Sequence, residues 1–245
     1  MDKIKSWLII CLNTLIVGAV IVCLYFMGTR YMTYENYTGV IGWKMMLFVN
    51  SDASIVLGLG AIMMIISAIM FLVQKRPNLH FLRYAYVFKM VGTVWTAFVF
   101  LLIILMLGPM VHFPAYMFEY EQSVLNIVLP VSAVVIFIFL EYKKARKTVI
   151  IYSSIPAILY IIAMFFVVYS GLCKKAIGEE APYALFYFKT NPWYISLLSC
   201  VFLIGGSFAM GAGIYFANRA MFEKAYPRRA THLYQKRLQE MKKKR

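Results

Sequence analysis

The stretch that decides the fold is YVFKMVGTVWTAFVFLLIILMLGP, residues 86–109. After Lys89 it contains nineteen consecutive residues without a charged side chain, Met90 to Gly108. At a rise of about 1.5 Å per residue, roughly 20 apolar residues form a helix that crosses a hydrocarbon core of about 30 Å, and the hydrogen bonds within that helix satisfy its backbone. We expect Lys89 to reach the headgroups at one end of this span and Pro109 to end the helix at the other.

The rest of the chain repeats this apolar pattern. Of its 245 residues, 62% are hydrophobic and 14% are charged, and the mean hydropathy is +0.74, which exceeds what the core of a soluble protein needs. The predicted spans are 7–27, 54–73, 87–108, 123–140, 148–171 and 193–216, and Pro130 is expected to kink the short fourth span. The sequence therefore predicts an all-α polytopic membrane protein, with a six-transmembrane-helix bundle over 1–217 and a basic tail over 218–245.

The positions of the lysines and arginines predict the orientation. Of the 25 basic residues, 20 lie in the two termini and in the loops after the second and fourth spans, when Lys89 at the start of the third span is counted with the loop before it. Positively charged loops stay on the cytoplasmic side, so both termini are predicted to be cytoplasmic, in a multi-pass protein of the cell membrane. Because the net charge of +15 is concentrated in loops that face the membrane surface, the expected partners are anionic lipid headgroups and not nucleic acid.

A polar cluster lies at the outer end of the second span, where Asn50, Ser51 and Asp52 follow one another. One interpretation is a helix cap, in which these side chains accept hydrogen bonds from the first helical amides. The other is a site that binds a polar headgroup, a cation or a substrate carbonyl. Asn126 lies one turn inside the fourth span, and it should point into the bundle because an unsatisfied amide in hydrocarbon costs several kcal/mol. By depth, Asn126 can meet the cluster.

Other motifs point to packing. No paired histidines and cysteines, glycine-rich phosphate loop or nucleophile elbow occurs, so we expect no metal and no cofactor.

His112 is predicted to face the same compartment as Asp52, and we interpret it as a solvated interfacial histidine. The segment APYALFYF, residues 181–188, predicts an aromatic cover at the outer interface. In the sixth span, the pairs Ser207/Gly211 and Ala209/Gly213 predict close helix packing and, as a second use, contact between copies in a homo-oligomer.

Several short motifs occur together in order along residues 40–215. They are Asn50-Ser51-Asp52, FKMVGTV at 88–94, Asn126 four residues before Pro130, IPAILY at 155–160 and APY at 181–183. This set resembles bacterial six-span membrane proteins distantly related to the androgen-induced and androgen-dependent lipid-ester hydrolases. The resemblance implies a six-helix bundle that hydrolyses lipid esters with a threonine nucleophile near the mouth of the second span and a histidine four residues before the fourth-span proline.

This chain departs from that pattern at both reactive positions. Phe48 stands where the threonine would fall and Asn126 where the histidine would fall, and neither side chain can do that chemistry. Either the alignment is displaced by several residues, which would bring Ser51 to the nucleophile position, or the chain keeps the scaffold without the reaction.

Three functions follow as hypotheses. The first is a catalytically diverged membrane protein whose outer-leaflet cavity binds a lipid or amphiphile, with Asn50, Ser51, Asp52 and Asn126 as its polar floor. The second is an intramembrane lipid-ester hydrolase that uses Ser51 with His112 or Asp52. The third is a small transporter whose moving parts are the proline-broken fourth and fifth spans.

Overall fold

The computed structural model describes residues 3–34, 37–73, 79–104, 123–141 and 147–225. Its α-helices, in chain order, are α1 (Lys3–Thr29), α2 (Val49–Val73), α3 (Leu79–Leu102), α4 (Leu129–Phe139), α5 (Thr148–Tyr152), α6 (Ile155–Tyr169), α7 (Leu172–Ile177) and α8 (Trp193–Ala225). A π-helical segment, Val124–Val128, leads directly into α4.

Among the described residues, five helices are long and apolar enough to cross a membrane, counting α5 and α6 as one unit. Their outward surfaces carry large apolar side chains such as Leu15, Phe166 and Leu198, each more than 60% exposed. An apolar surface of this kind is stable in lipid and not in water. The prediction of a helical, multi-pass membrane protein is thus confirmed.

The predicted fourth span is shorter than the others. It consists of the five π-helical residues followed by the eleven residues of α4. Among the described residues it counts as an apolar helix below spanning length. The number of spans therefore stays a prediction.

A short β-hairpin, which the sequence analysis did not predict, follows α1. Strands β1 (Tyr31–Tyr34) and β2 (Tyr37–Val40) pair antiparallel, with Thr33 opposite Thr38. A 3-10 helix, Gly42–Leu47, then leads into α2, and Gly42 adopts a positive φ of 51° that suits glycine. The segment between α1 and α2 thus contains both extended and helical structure.

Helices α2 and α3 approach each other at two glycines. A Cβ atom built on Gly92 would lie 2.7 Å from the Cα atom of Leu57, and one built on Gly60 would lie 2.8 Å from the Cα atom of Lys89. The Thr96 hydroxyl donates across this contact to the Ala53 carbonyl at 3.2 Å. Glycine lets the two backbones approach this closely because it has no side chain to separate them.

The position of Lys89 contradicts the sequence prediction. The third helix begins at Leu79, so Lys89 lies inside α3 and not at the end of a span. Its side chain is completely buried, and its backbone packs beside Gly60 near the middle of α2. The expectation that Lys89 reaches the headgroups is therefore wrong. The helix begins ten residues before Lys89, whereas the sequence analysis expected Lys89 to lie at the end of the span.

Proline interrupts the fifth predicted span as expected. Ser153 and Ser154 separate α5 from α6, and Pro156 follows in the first turn of α6. The Ser153 hydroxyl donates to the carbonyls of Ile150 and Ser207, the second at 3.3 Å. The Ser153 hydroxyl thus bonds carbonyls beside the break and connects the break to α8.

The small residues of α8 divide between two faces. Ser207 and Gly211 are buried, and a Cβ on Gly211 would collide with the Ser153 side chain, so this pair packs inside the bundle. Ala209 and Gly213 are exposed, and a Cβ on Gly213 would meet no atom within 4 Å. The prediction of close helix packing is confirmed for the first pair, while contact between copies through the second stays a prediction.

Candidate functional site

The structure brings together the polar residues predicted to form an outer site. The Asn50 Nδ2 atom donates to the Asn126 Oδ1 atom at 3.4 Å, and both side chains are buried. This bond joins the first turn of α2 to the π-helical segment before α4. The expectation that Asn126 points into the bundle and meets this end of α2 is confirmed. We call Asn50, Ser51, Asp52 and Asn126 the outer cluster.

The π-helical geometry around Asn126 follows from Pro130. Proline has no N–H, so Pro130 cannot donate to the carbonyl four residues earlier, which is that of Asn126. The chain adopts the wider spacing, and the Leu129 N–H donates to the Val124 carbonyl five residues earlier. Single turns of π-helix occur often at functional sites, and here the turn contains a cluster residue.

Hydrogen bonds at the start of α2 hold Asn50 and Ser51 in place. The Asn50 Oδ1 atom accepts from the Ser51 N–H at 3.0 Å, and the Asn50 carbonyl accepts from the Ser54 hydroxyl at 2.8 Å. The interpretation as a helix cap is therefore partly confirmed, since one cluster side chain accepts a first-turn amide. Asn50 serves both the cap and the contact with Asn126.

The hydroxyl of Ser51 is bonded within the bundle. Its side chain is completely buried, and its hydroxyl donates to the Met27 sulfur at 3.2 Å. Among the described residues no histidine, lysine or carboxylate bonds this hydroxyl. An activated serine needs a base within about 3 Å. Of the two candidate bases, Asp52 does not bond this hydroxyl, and His112 lies outside the described residues.

Asp52 is the cluster residue that remains partly exposed. It lies in the first turn of α2, where the positive end of the helix dipole favours a negative charge. It is close enough to Tyr160 of α6 for the two side chains to interact electrostatically. The Tyr160 hydroxyl is already engaged, because it donates to the Leu47 carbonyl at 2.9 Å. The Asp52 carboxylate is thus the group of the outer cluster that another molecule can reach.

Aromatic side chains from the predicted cover pack beside this cluster. Phe186 contacts Tyr160 edge-on, with ring centroids 5.5 Å apart, and Tyr183 contacts Phe48 edge-on at 6.2 Å. Tyr183 and Phe186 also contact each other, at 6.4 Å. These edge-to-face contacts join the loop to Phe48, just before α2, and to α6. The location of this aromatic segment at the outer interface stays a prediction.

Two glutamates hold the loop that carries this cover. The Tyr187 hydroxyl donates to Glu179 at 2.9 Å, and the backbone N–H of Lys189 donates to Glu180 at 2.6 Å. Burial, followed by the hydrogen bond to Glu179, raises the pKa of Tyr187 to about 12, so the tyrosine is a neutral donor at physiological pH. The loop is therefore fixed by charge-assisted hydrogen bonds at both ends of its aromatic segment.

A second buried polar cluster, which the sequence analysis missed, lies in another part of the bundle. The Lys89 Nζ atom donates to Asn13 Oδ1 at 2.8 Å, and Asn13 Nδ2 donates to Glu141 Oε1 at 2.6 Å. Lys89 and Asn13 are completely buried, and Glu141 is 4% exposed. Asn13 of α1 thus connects a lysine of α3 to a glutamate just after α4. We call these three residues the intramembrane triad.

Two members of the triad, Asn13 and Lys89, lie inside helices that are long and apolar enough to cross a membrane. Asn13 is ten residues from Lys3, the first residue of α1, which corresponds to roughly 15 Å of helix. Glu141, two residues after the end of α4, accepts from Asn13 of α1. The available sequence signal was an asparagine inside the first apolar segment and a glutamate at the end of the fourth, and only their contact makes this signal specific.

A neighbouring pair extends this polar region toward α8. The Tyr86 hydroxyl donates to Asn218 Oδ1 at 2.7 Å, and Asn218 Nδ2 donates to the Phe137 carbonyl at 2.7 Å. Tyr86 lies one turn before Lys89 on α3 and interacts electrostatically with Glu141. Side chains from α1, α3 and α8 and the end of α4 therefore meet in one buried polar region.

Within the described residues, no group of three histidine, cysteine, aspartate or glutamate side chains could hold a metal ion. No family model matches this chain, and the searches of curated proteins and of solved structures find no similar protein. The resemblance to lipid-ester hydrolases, drawn from the motifs, therefore stays a prediction.

Proposed function

We propose that this chain is a multi-pass protein of the cell membrane that binds the headgroup of a lipid or other amphiphile at the outer cluster and does not hydrolyse it. The observation that carries this proposal is the partly exposed carboxylate of Asp52, which lies among buried, hydrogen-bonded polar residues and next to an aromatic cover. A polar group with apolar and aromatic surroundings is the usual composition of a site for an amphiphile.

The members of the outer cluster have different roles in this proposal. Asn50, Ser51 and Asn126 are buried and bonded to other parts of the bundle, so they fix the start of α2. Asp52 makes the contact with the ligand. A carboxylate only accepts hydrogen bonds, so the preferred headgroup carries donors, and an amine adds an opposite charge.

Replacing Asp52 with asparagine should weaken binding of an amine-bearing lipid about tenfold, because one charge-assisted hydrogen bond contributes about 1.5–3 kcal/mol and 1.4 kcal/mol is tenfold. The measurement is binding of phosphatidylethanolamine with a fluorescent acyl chain to the full chain in nanodiscs. Phosphatidylglycerol with the same acyl chain is the control probe. The control variant is E223Q, which changes an exposed glutamate of α8. Equal binding by D52N and the unsubstituted chain would contradict the proposal.

The reactivity of Ser51 distinguishes binding without hydrolysis from the hydrolase alternative. Because its hydroxyl is buried and bonded to Met27, we expect a serine-reactive fluorophosphonate not to label the protein and lipid esters not to be turned over. The measurement is labelling and ester release by the purified chain and by S51A. Labelling or turnover that S51A abolishes would establish the hydrolase and reject binding without hydrolysis.

The orientation and the partners belong to the same proposal. We place both termini in the cytoplasm, with the basic loops and the tail against anionic lipid headgroups and without a nucleic-acid partner. This arrangement puts the outer cluster toward the outer leaflet. The exposed pair Ala209 and Gly213 is the surface we assign to contact between copies, if the protein is a homo-oligomer.

A transporter is the second candidate function, and the two interrupted helices favour it. The π-helical segment before α4 and the break between α5 and α6 are irregular stretches inside apolar segments. Transporters commonly place such discontinuities at their binding sites, where the chain can change conformation. Asn126 lies in the first of them, so movement there would act directly on the outer cluster.

A further inference from the structure

Both charged members of the intramembrane triad leave hydrogen-bonding capacity unused. Among the described residues, Lys89 makes one of the three hydrogen bonds that an ammonium group can donate, to Asn13, and the Oε2 atom of Glu141 has no partner. Both side chains are buried. Buried polar atoms of native proteins are nearly always bonded, so each exception needs an explanation such as a bound water, ion or other ligand.

A third unused group, the Thr93 hydroxyl, lies one turn after Lys89 on α3. It is completely buried and has no hydrogen-bond partner among the described residues. A threonine inside a helix commonly donates to the carbonyl four residues earlier, as Thr96 does to Gly92 at 2.7 Å. Side chains four residues apart are neighbours on a helix surface, so Thr93 places an unused donor and acceptor beside Lys89.

These groups belong to one polar face of α3. Tyr86, Lys89 and Thr93 follow one another at intervals of three and four residues, which is the spacing of one helix face, and all three are buried. A polar face inside a bundle of apolar helices is costly, and charged residues in such positions commonly mark the place where a polar ligand binds or passes. The unused groups are therefore gathered in one region and not scattered through the bundle.

The opposite charges of Lys89 and Glu141 select the kind of molecule that can bind between them. A cation is repelled by Lys89 and an anion by Glu141, while the two charges interact with each other. A zwitterion satisfies both. Its ammonium group donates to the Oε2 atom of Glu141, and its carboxylate accepts from Lys89 and Thr93.

We propose that Lys89, Thr93 and Glu141 form a binding site for a small zwitterion that carries one ammonium group and one carboxylate. The bonds of Asn13 to Lys89 and to Glu141 stay in place, because the ligand uses only the donors and the oxygen atom that these bonds leave free. Asn13 is also held by its own helix, since its Nδ2 atom donates to the Ile9 carbonyl at 2.9 Å. The site shares no residue with the outer cluster, so it does not depend on the amphiphile proposed there.

Polar side chains continue from this site to the surface at the end of α8. The Tyr86 hydroxyl, one turn before Lys89, donates to Asn218 of α8 at 2.7 Å. Arg219 follows Asn218 directly, is exposed, and pairs with Glu223 at 2.8 Å. A polar ligand that exchanges at this end therefore meets hydrogen-bonding groups and not only apolar side chains.

Binding of glycine, β-alanine and γ-aminobutyrate to the full chain in nanodiscs tests the proposal. These zwitterions differ in the distance between their ammonium and carboxylate groups, and saturation-transfer NMR detects their binding even when it is weak. We expect at least one of them to bind saturably. Methylammonium and acetate, which each carry one of the two charges, should bind at least tenfold more weakly.

The variant T93V tests the site without removing a charge. A methyl group of similar shape replaces a hydroxyl that has no partner, so the protein should fold normally, while the zwitterion should bind about tenfold more weakly. The matched control is T96V, which removes a hydroxyl bonded to the carbonyls of Gly92 and Ala53 and should leave zwitterion binding unchanged.

Two charge variants complete the test. K89M/E141Q removes both charges together, so neither is left uncompensated, and it should abolish zwitterion binding. D52N removes the outer carboxylate and should leave this binding unchanged. Because the probes carry no acyl chain and D52N keeps all three residues of the site, failure of the amphiphile proposal would not alter these results.

Three outcomes would overturn the proposal. In the first, no zwitterion binds better than methylammonium and acetate, and the unused atoms then hold water alone. In the second, T93V binds the zwitterion as tightly as the unsubstituted chain, a result that decides the matter even if K89M/E141Q does not fold. In the third, D52N loses the binding and T93V keeps it, which would place the zwitterion at the outer cluster.

Discussion

Replacing Lys89 with methionine is expected to lower the free energy of unfolding by about 3 kcal/mol, because removing one partner of a buried charge pair leaves the other charge uncompensated. The side chain is completely buried, and its ammonium connects through Asn13 to Glu141. Without it, Asn13 also loses the donor to its Oδ1 atom. The measurement is unfolding of the purified chain in mixed micelles by increasing sodium dodecyl sulfate, with helix content as the monitored signal.

A double substitution separates the charge effect from a general loss of packing. In K89M/E141Q both charges are gone, while glutamine can still accept from Asn13, so most of the lost stability should return. The control for the lysine itself is K224M, an exposed lysine of α8, which should change stability little. A double variant that is as unstable as K89M would show that the charge pair is not the cause.

Replacing Gly92 with alanine is expected to lower the free energy of unfolding by about 2 kcal/mol, within the range for overpacking a well-packed contact. A Cβ at this position would lie 2.7 Å from Leu57 Cα and 2.9 Å from the Val56 carbonyl oxygen, so the backbones of α2 and α3 must separate. The higher helix propensity of alanine, up to about 1 kcal/mol, offsets only part of this cost. The same detergent titration measures the effect.

Gly205 provides the matched control for this substitution. It is also an interior glycine of an apolar helix, but a Cβ there would meet no atom within 4 Å. G205A gains the propensity of alanine without a collision, so it should be as stable as the unsubstituted chain or slightly more stable. Equal stabilities of G92A and G205A would show that the close approach of α2 and α3 at Gly92 does not contribute to the free energy of unfolding.

Part of the outer cluster could be predicted from the sequence. An amide inside an apolar segment must find a partner, and the depth of Asn126 matched that of Asn50. The contact between them follows from these two constraints. The sequence could not show that the Ser51 hydroxyl is buried and bonded to Met27, because both properties depend on how α1 packs against α2.

The intramembrane triad was not predictable in the same way. Lys89 was expected to reach the surface because the apolar run begins just after it, and that run does not reveal that α3 starts ten residues earlier. Asn13 and Glu141 are 128 positions apart, and each alone resembles a tolerated polar residue in or beside an apolar segment. Burial turns these separate residues into one network.

The sequence by itself determined that this chain is a set of apolar helices for a membrane, since long uncharged runs have no other stable environment and helices satisfy their own backbone. It also determined where proline would disturb those helices. The tertiary structure alone decided which polar side chains meet inside the bundle, because a buried charge is tolerated only beside a partner, and that partner is supplied by packing between segments far apart in the chain.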